Sequence, residues 1–199
     1  IFTSHIAYVQ VQPDKKHKGQ MKYHLIVADY DGYNPKALVT SSEPLMSPTW
    51  APNGKQIAFV SFQHTLPAIY DVNVATGKLN QITQLAGING APAWSPDGMK
   101  MAFVSSQTGQ AKLYEMDLLT KNITQLTTGY SIDTEPSYSP DSSYLVFTSN
   151  RGGKPQIYRY TFSDESVERL SYSGDYNATA DVSPDGKYLT VLNGSKHVY

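Results

Sequence analysis

A segment of about twelve residues returns four times at a fixed interval, and this constrains the fold more than any other feature of the chain. It reads Pro48-Thr49-Trp50-Ala51-Pro52-Asn53-Gly54 through Phe59, then Pro92-Ala93-Trp94-Ser95-Pro96-Asp97-Gly98 through Phe103. It returns as Pro136-Ser137-Tyr138-Ser139-Pro140-Asp141-Ser142 through Phe147, and more loosely as Ala180-Asp181-Val182-Ser183-Pro184-Asp185-Gly186 through Leu189. The aromatic or apolar slot falls at 50, 94, 138 and 182, so each interval is 44 residues. A strand-rich period of this length marks the blades of a β-propeller. Each such unit needs its neighbours to cover its faces, so the repeat overrides a simple length prior on domain count.

A second motif keeps the same step: Leu25-Ile26-Val27, Ile69-Tyr70-Asp71, Leu113-Tyr114-Glu115 and Ile157-Tyr158-Arg159. Each run is β-prone and closed by a turn such as Ala75-Thr76-Gly77-Lys78, with a short fourth segment (Gln81-Ile82-Thr83, Thr124-Gln125-Leu126) behind it. One unit is therefore a four-stranded meander, A to D, predicted in the 89–132 unit at about 92–95, 99–105, 111–118 and 122–127. In Ser95-Pro96-Asp97-Gly98, proline presets φ at the second turn position and glycine is permissive at the fourth. Ser142 takes that glycine's place, which predicts a strained or differently closed turn. The Ala-Phe-Val runs at 58–60 and 102–104 read as strands buried on both faces.

These motifs predict whole blades at 44–88, 89–132 and 133–176. A partial blade at 1–43 lacks its first strand, since no Pro-x-Trp segment precedes Ile6. A second partial blade at 177–199 ends at His197-Val198-Tyr199, where its third strand is due. The first unit also carries seven extra residues in a polar B–C loop, 13–20. The expected fold is an all-β propeller fragment, about 70 residues short of a six-bladed ring of roughly 270. Its bare edges predict pairing with a second copy at 6–9 or 180–192.

Charge and composition narrow the function classes. Net charge is −1, with lysine and arginine dispersed, so no nucleic-acid or anionic-membrane partner is indicated. Cysteine is absent, which excludes disulfides and thiolate metal sites, and no apolar run reaches 18 residues. The five histidines lack metal-ligand spacing, and no nucleophile elbow or phosphate loop is present. Asp29 to Asn34 begins like a calcium loop, but Thr40 stands where the acidic twelfth ligand belongs, so Asp31-Gly32 reads as a hairpin turn. Lys15-Lys16-His17-Lys18 reads as a solvated loop tip. No catalytic residue, cofactor or metal is assigned.

Strand order places the tight A–B and C–D turns on one rim and the longer B–C and D–A connections on the other. The second rim is the expected binding face, because function concentrates on loops held by a rigid scaffold. Its D–A connection at 175–180 contributes Asn177 and Ala178. Asp133, Glu135 and Asp181 are expected to ring the mouth with negative charge, for a cation, a basic partner or mere solubility.

Ala28-Asp29-Tyr30-Asp31-Gly32-Tyr33-Asn34, Pro44-Leu45-Met46-Ser47-Pro48, Asn89-Gly90-Ala91-Pro92 and Thr134-Glu135-Pro136, in register with the repeat, resemble the TolB propeller family of the Gram-negative Tol–Pal system. The resemblance covers nearly the whole chain. It implies a periplasmic, non-enzymatic platform that binds the lipoprotein Pal, shares that surface with colicins, and reaches TolA through an N-terminal region outside this sequence. It implies partner contacts at Met46, Ser47, Asn89, Gly90, Ala91, Thr134 and Glu135, while Ile88 departs from the histidine common at that position. Two other classes stay open. One is the gating propeller of a prolyl-oligopeptidase-type serine peptidase; the other is a propeller lyase or hydrolase acting in its own channel.

Overall fold

The computed structural model describes residues 4–194, in which seventeen strands and no helix occur. The expected strand C at 197–199 lies outside the described residues. Two compact units, 1–90 and 91–199, divide the chain.

The first unit holds a three-stranded sheet of β1 (His5–Pro13), β2 (Met21–Asp29) and β3 (Lys36–Ser41), in that order. Beside it in sequence is a four-stranded sheet of β4 (Leu45–Trp50), β5 (Gln56–Ser61), β6 (Ala68–Asn73) and β7 (Leu79–Gln81). The second unit repeats this meander twice. One sheet comprises β8 (Asn89–Trp94), β9 (Lys100–Ser105), β10 (Lys112–Asp117) and β11 (Ile123–Gln125). The next comprises β12 (Asp133–Tyr138), β13 (Tyr144–Ser149), β14 (Gln156–Thr161) and β15 (Val167–Arg169), followed by the pair β16 (Asn177–Val182) and β17 (Leu189–Asn193). Each four-stranded sheet is the antiparallel meander of a propeller blade, and the sheet of β1 to β3 has three strands.

Within each unit the core lies between neighbouring sheets. In the first unit Leu25 and Val27 pack with Leu45, Ile57, Phe59 and Tyr70; in the second, Val104 and Leu113 pack with Tyr138, Leu145, Phe147 and Tyr158. The B strands are buried on both faces: Ile57, Ala58 and Phe59 are all within 1 % of full burial. Each fully buried aromatic or aliphatic side chain contributes about 1.5–3 kcal/mol.

The A strands begin three residues earlier than the sequence reading placed them, because their first residue reaches back to the preceding blade. The amide N–H of Asn89 donates to Pro67 O (3.2 Å), that of Asp133 to Ala111 O (3.0 Å) and that of Asn177 to Pro155 O (3.0 Å). Side chains at the same positions reinforce this. Asn89 Nδ2 donates to Leu85 O and Gly87 O, whereas Asn177 Nδ2 donates to Gln156 Oε1 (2.9 Å) and Ser173 O. Between them the polar pair becomes ionic: Lys112 Nζ lies 3.1 Å from Asp133 Oδ2, with both side chains nearly fully buried. Lys112 also donates to Ser131, and Asp133 accepts from Ser149 Oγ (2.6 Å) and Arg151 (3.0 Å). Burial pushes the Asp133 carboxyl up, but the hydrogen bonds from Ser149 and Arg151 and the guanidinium charge outweigh it, holding the group below its ordinary range.

The turns follow their residues. Gly98 has φ 72° and donates its N–H to Ser95 O (2.8 Å); Ser142 has φ 60° and donates to Ser139 O (2.9 Å). The serine turn therefore closes in the same way and carries strain that glycine avoids. Asp31-Gly32 forms the expected turn between β2 and β3, with Gly32 N–H bonded to Asp29 O. Residues 15–18 are exposed at the loop tip, and Asp14 behind them is buried. Asp14 accepts from Lys16 N–H and His17 Nδ1, both at 2.8 Å, which lower its pKa to about 2.

Two outcomes test this account. Ser142→Gly should raise stability by roughly 1 kcal/mol and Gly98→Ser lower it by a similar amount, read from urea midpoints. Asp133→Asn should cost about 3 kcal/mol, because it strands the buried Lys112 charge, and Lys112→Gln less, because Arg151 still pairs with Asp133. The double variant recreates the Gln156–Asn177 pairing and should recover most of that loss. Because the folded Asp133 pKa is depressed, its stabilisation is present above the unfolded value of about 4 and is lost as pH falls through the folded one. The double variant should accordingly lose less stability on acidification.

Candidate functional site

Four positions on the inner strands share an uncommon backbone. Ser47 (φ 49°), Ala91 (φ 47°), Glu135 (φ 56°) and Thr179 (φ 52°) all sit in the left-handed region, and they are spaced by 44 residues. Outside glycine this conformation costs of order 1–3 kcal/mol and persists only where the surroundings impose it. The imposing feature is a β-bulge. Met46 pairs with Val60 and Thr49 with Ala58, so three steps along β4 match two along β5. The same shift lies between Thr134 and Ser137 in β12 and between Ala178 and Asp181 in β16. Proline follows at 48, 92 and 136, and its missing N–H is one fewer ladder donor to satisfy at the bulge.

The structure sorts the sequence-chosen residues by accessibility. Met46 (52 % exposed), Ser47 and Asp181 face solvent. Gly90, Ala91, Thr134 and Glu135 are half-buried, and Asn89, Asn177 and Ala178 are buried. All but Asp181 were expected on connecting loops; all lie instead on the strands β4, β8, β12 and β16. Asn89 and Asn177 serve the junctions described above, so their surface contribution is slight. Thr179 is exposed and was missed, although the 44-residue step from Glu135 pointed to it.

The expected ring of negative charge is largely engaged within the fold. Asp133 is enclosed by Lys112, Arg151 and Ser149. Glu135 Oε2 accepts from Thr148 Oγ1 (2.8 Å) and from Thr179 N–H (3.0 Å), the amide turned by the bulge of the neighbouring strand. Asp181 Oδ1 accepts from Ser137 Oγ (2.7 Å). No group of three or more His, Cys, Asp or Glu residues suited to a metal ion occurs among the described residues. These strands thus offer bulged backbone and a few projecting side chains. The acidic groups are tied to structural partners.

The comparisons with known proteins agree with this architecture. The chain is 50 % identical over 91 residues to the Tol-Pal system protein TolB of Legionella pneumophila (strain Corby), a match covering 46 % of this chain and 21 % of that protein. The TolB of Coxiella burnetii is 48 % identical over a segment of the same length. The crystal structure of TolB from Acinetobacter baumannii superposes with a TM-score of 0.90 at 42 % identity, covering 99 % of this chain and 49 % of that one. The chain therefore spans about half the length of that solved relative. A puromycin-hydrolyzing peptidase from Mycobacterium tuberculosis superposes at 0.73 with 14 % identity over 89 % of this chain and 31 % of that one, a likeness of fold alone. A model of the TolB beta propeller domain matches residues 1–199, and the chain belongs to that family.

Proposed function

We propose that this propeller segment is a non-enzymatic protein-interaction platform of the Tol–Pal system in the periplasm, and that its bulged inner strands hold the lipoprotein Pal. The observation that carries this reading is the left-handed residue repeated at 47, 91, 135 and 179, beside side chains the fold leaves projecting. Backbone strain maintained in four successive blades marks a surface kept for contact. Met46, Ser47, Thr134 and Thr179 supply that contact, with Gly90 and Ala91 allowing close approach; Asn89, Asn177 and Ala178 hold the strands from beneath. Glu135 and Asp181 brace neighbouring strands. Colicins would use the same surface, and TolA would be reached through a region preceding this sequence. The peptidase-gate alternative rests on fold likeness alone, and the family match favours the platform. Among the described residues β1 has a strand partner only in β2, and β17 only in β16, so copies of this segment would also associate edge to edge.

Calorimetry of Pal binding to the gene's full product tests the reading. Met46→Asp and Thr134→Trp should each weaken binding at least tenfold, about 1.4 kcal/mol, with unfolding midpoints unchanged. Binding unaffected by both would remove these strands from the interface.

A further inference from the structure

The tight-turn ends of the sheets were expected to offer little to a ligand, yet one of them holds a cavity. It lies in the first unit, has a volume of about 330 Å³, and is walled by Val27, Leu38, Trp50 and Val74, with Lys36 and Asp29 among its polar lining. The repeat shows what it lacks. Tyr138, in the same slot as Trp50, donates its hydroxyl to Glu115 Oε1 (2.7 Å), a residue 23 positions upstream. Counting the same 23 positions back from Trp50 reaches Val27, which has no acceptor to offer. Trp50 Nε1 is consequently buried with no hydrogen-bond partner. A donor retained in a slot whose usual carboxylate has been replaced by valine is an invitation to a carboxylate from outside.

A cation is available for it. Lys36 stands directly across the strand pair from Val27, which places both on the same face of the sheet. Lys36 makes no ion pair among the described residues. Asp29 shares the lining, but its Oδ2 accepts from Asn34 Nδ2 (2.6 Å) and its Oδ1 lies 3.6 Å from His5 Nε2. Its residual negative charge favours a singly charged guest over a doubly charged one such as phosphate. The apolar walls suit a short hydrocarbon stem.

We propose that this cavity binds a monocarboxylate on a short aliphatic stem, one oxygen accepting from Trp50 Nε1–H while the charge faces Lys36. The guest is a free short-chain acid or the side chain of a glutamate in a partner. The site lies at the opposite end of β4 from Met46 and Ser47, so it stands or falls apart from the partner surface above.

Trp50 and Trp94 are the chain's two tryptophans, so Trp94→Phe leaves Trp50 as sole indole reporter. Should that variant not fold, Trp50→Phe assigns the two indole signals of the unmodified chain. Butyrate should shift the Trp50 indole 15N–1H peak saturably, with a Kd on the order of 1 mM, and neutral butyramide should bind roughly tenfold weaker or not at all. Acetyl-glutamate-amide in a parallel titration reports the peptide source; tighter binding than butyrate assigns the site to a partner's side chain, and weaker binding to a free acid. Lys36→Ala, at an exposed position, should weaken binding about tenfold. Val27→Glu, which restores an internal acceptor, should shift the peak without ligand and abolish the response. No saturable shift with either acid, an equal response to butyramide, or indifference to Lys36→Ala would overturn the proposal.

Discussion

The strands β8, β12 and β16 are each anchored by their first residue, whose amide bonds to a carbonyl just ahead of the third strand of the sheet before it. At 89, 133 and 177 the bond runs to residues 67, 111 and 155, a step of 22 each time. Within the second unit this contact joins one meander to the next. Hydrophobic faces alone would let adjacent sheets slide, since apolar contact is non-directional. A buried amide that must find its carbonyl fixes the offset, because leaving it unmade costs the full desolvation of both groups. The side chain at the same position then adds a polar connection suited to its local setting.

The bulge two residues further on follows from that anchoring. Held at one end and turning into the tight hairpin at 52–54, 140–142 or 184–186 at the other, the strand carries one residue more than its partner requires. The surplus is absorbed at 47, 135 and 179, where a side-chain residue takes a conformation usually left to glycine. In β16 the redirected amide of Thr179 meets Glu135 of the neighbouring strand, so the irregularity of one blade is used by the next. The bulged surface and the scaffold are thus the same strands.

Much of this was legible in the sequence because repetition makes weak signals additive. Four copies of the turn-strand segment pointed to four-stranded propeller sheets and to the doubly buried B strands. The A-strand starts were not legible: Asn89, Asp133 and Asn177 are polar residues in loop-like surroundings, and local pattern gives no hint that a backbone bond to the previous blade extends the strand through them. Acidity misled for a related reason. Asp133 looks like a surface carboxylate until Lys112, 21 residues away, is seen to be buried against it. Ser142 shows the converse, since its strain was foreseen from a missing glycine while the unchanged closure of its turn was not.

The polar connections at successive junctions differ in kind. One is an asparagine reaching carbonyls, one an ammonium and a carboxylate with an attendant guanidinium, one a glutamine with an asparagine. In a chain of near-identical backbones, the chief hazard is a blade docking onto the wrong predecessor. Dissimilar couplings answer it: exchanged, the last two would leave a lysine facing an amide or an aspartate facing a glutamine. Order along the stack is thereby written in side-chain chemistry, even though the backbone of each blade is almost interchangeable with the next.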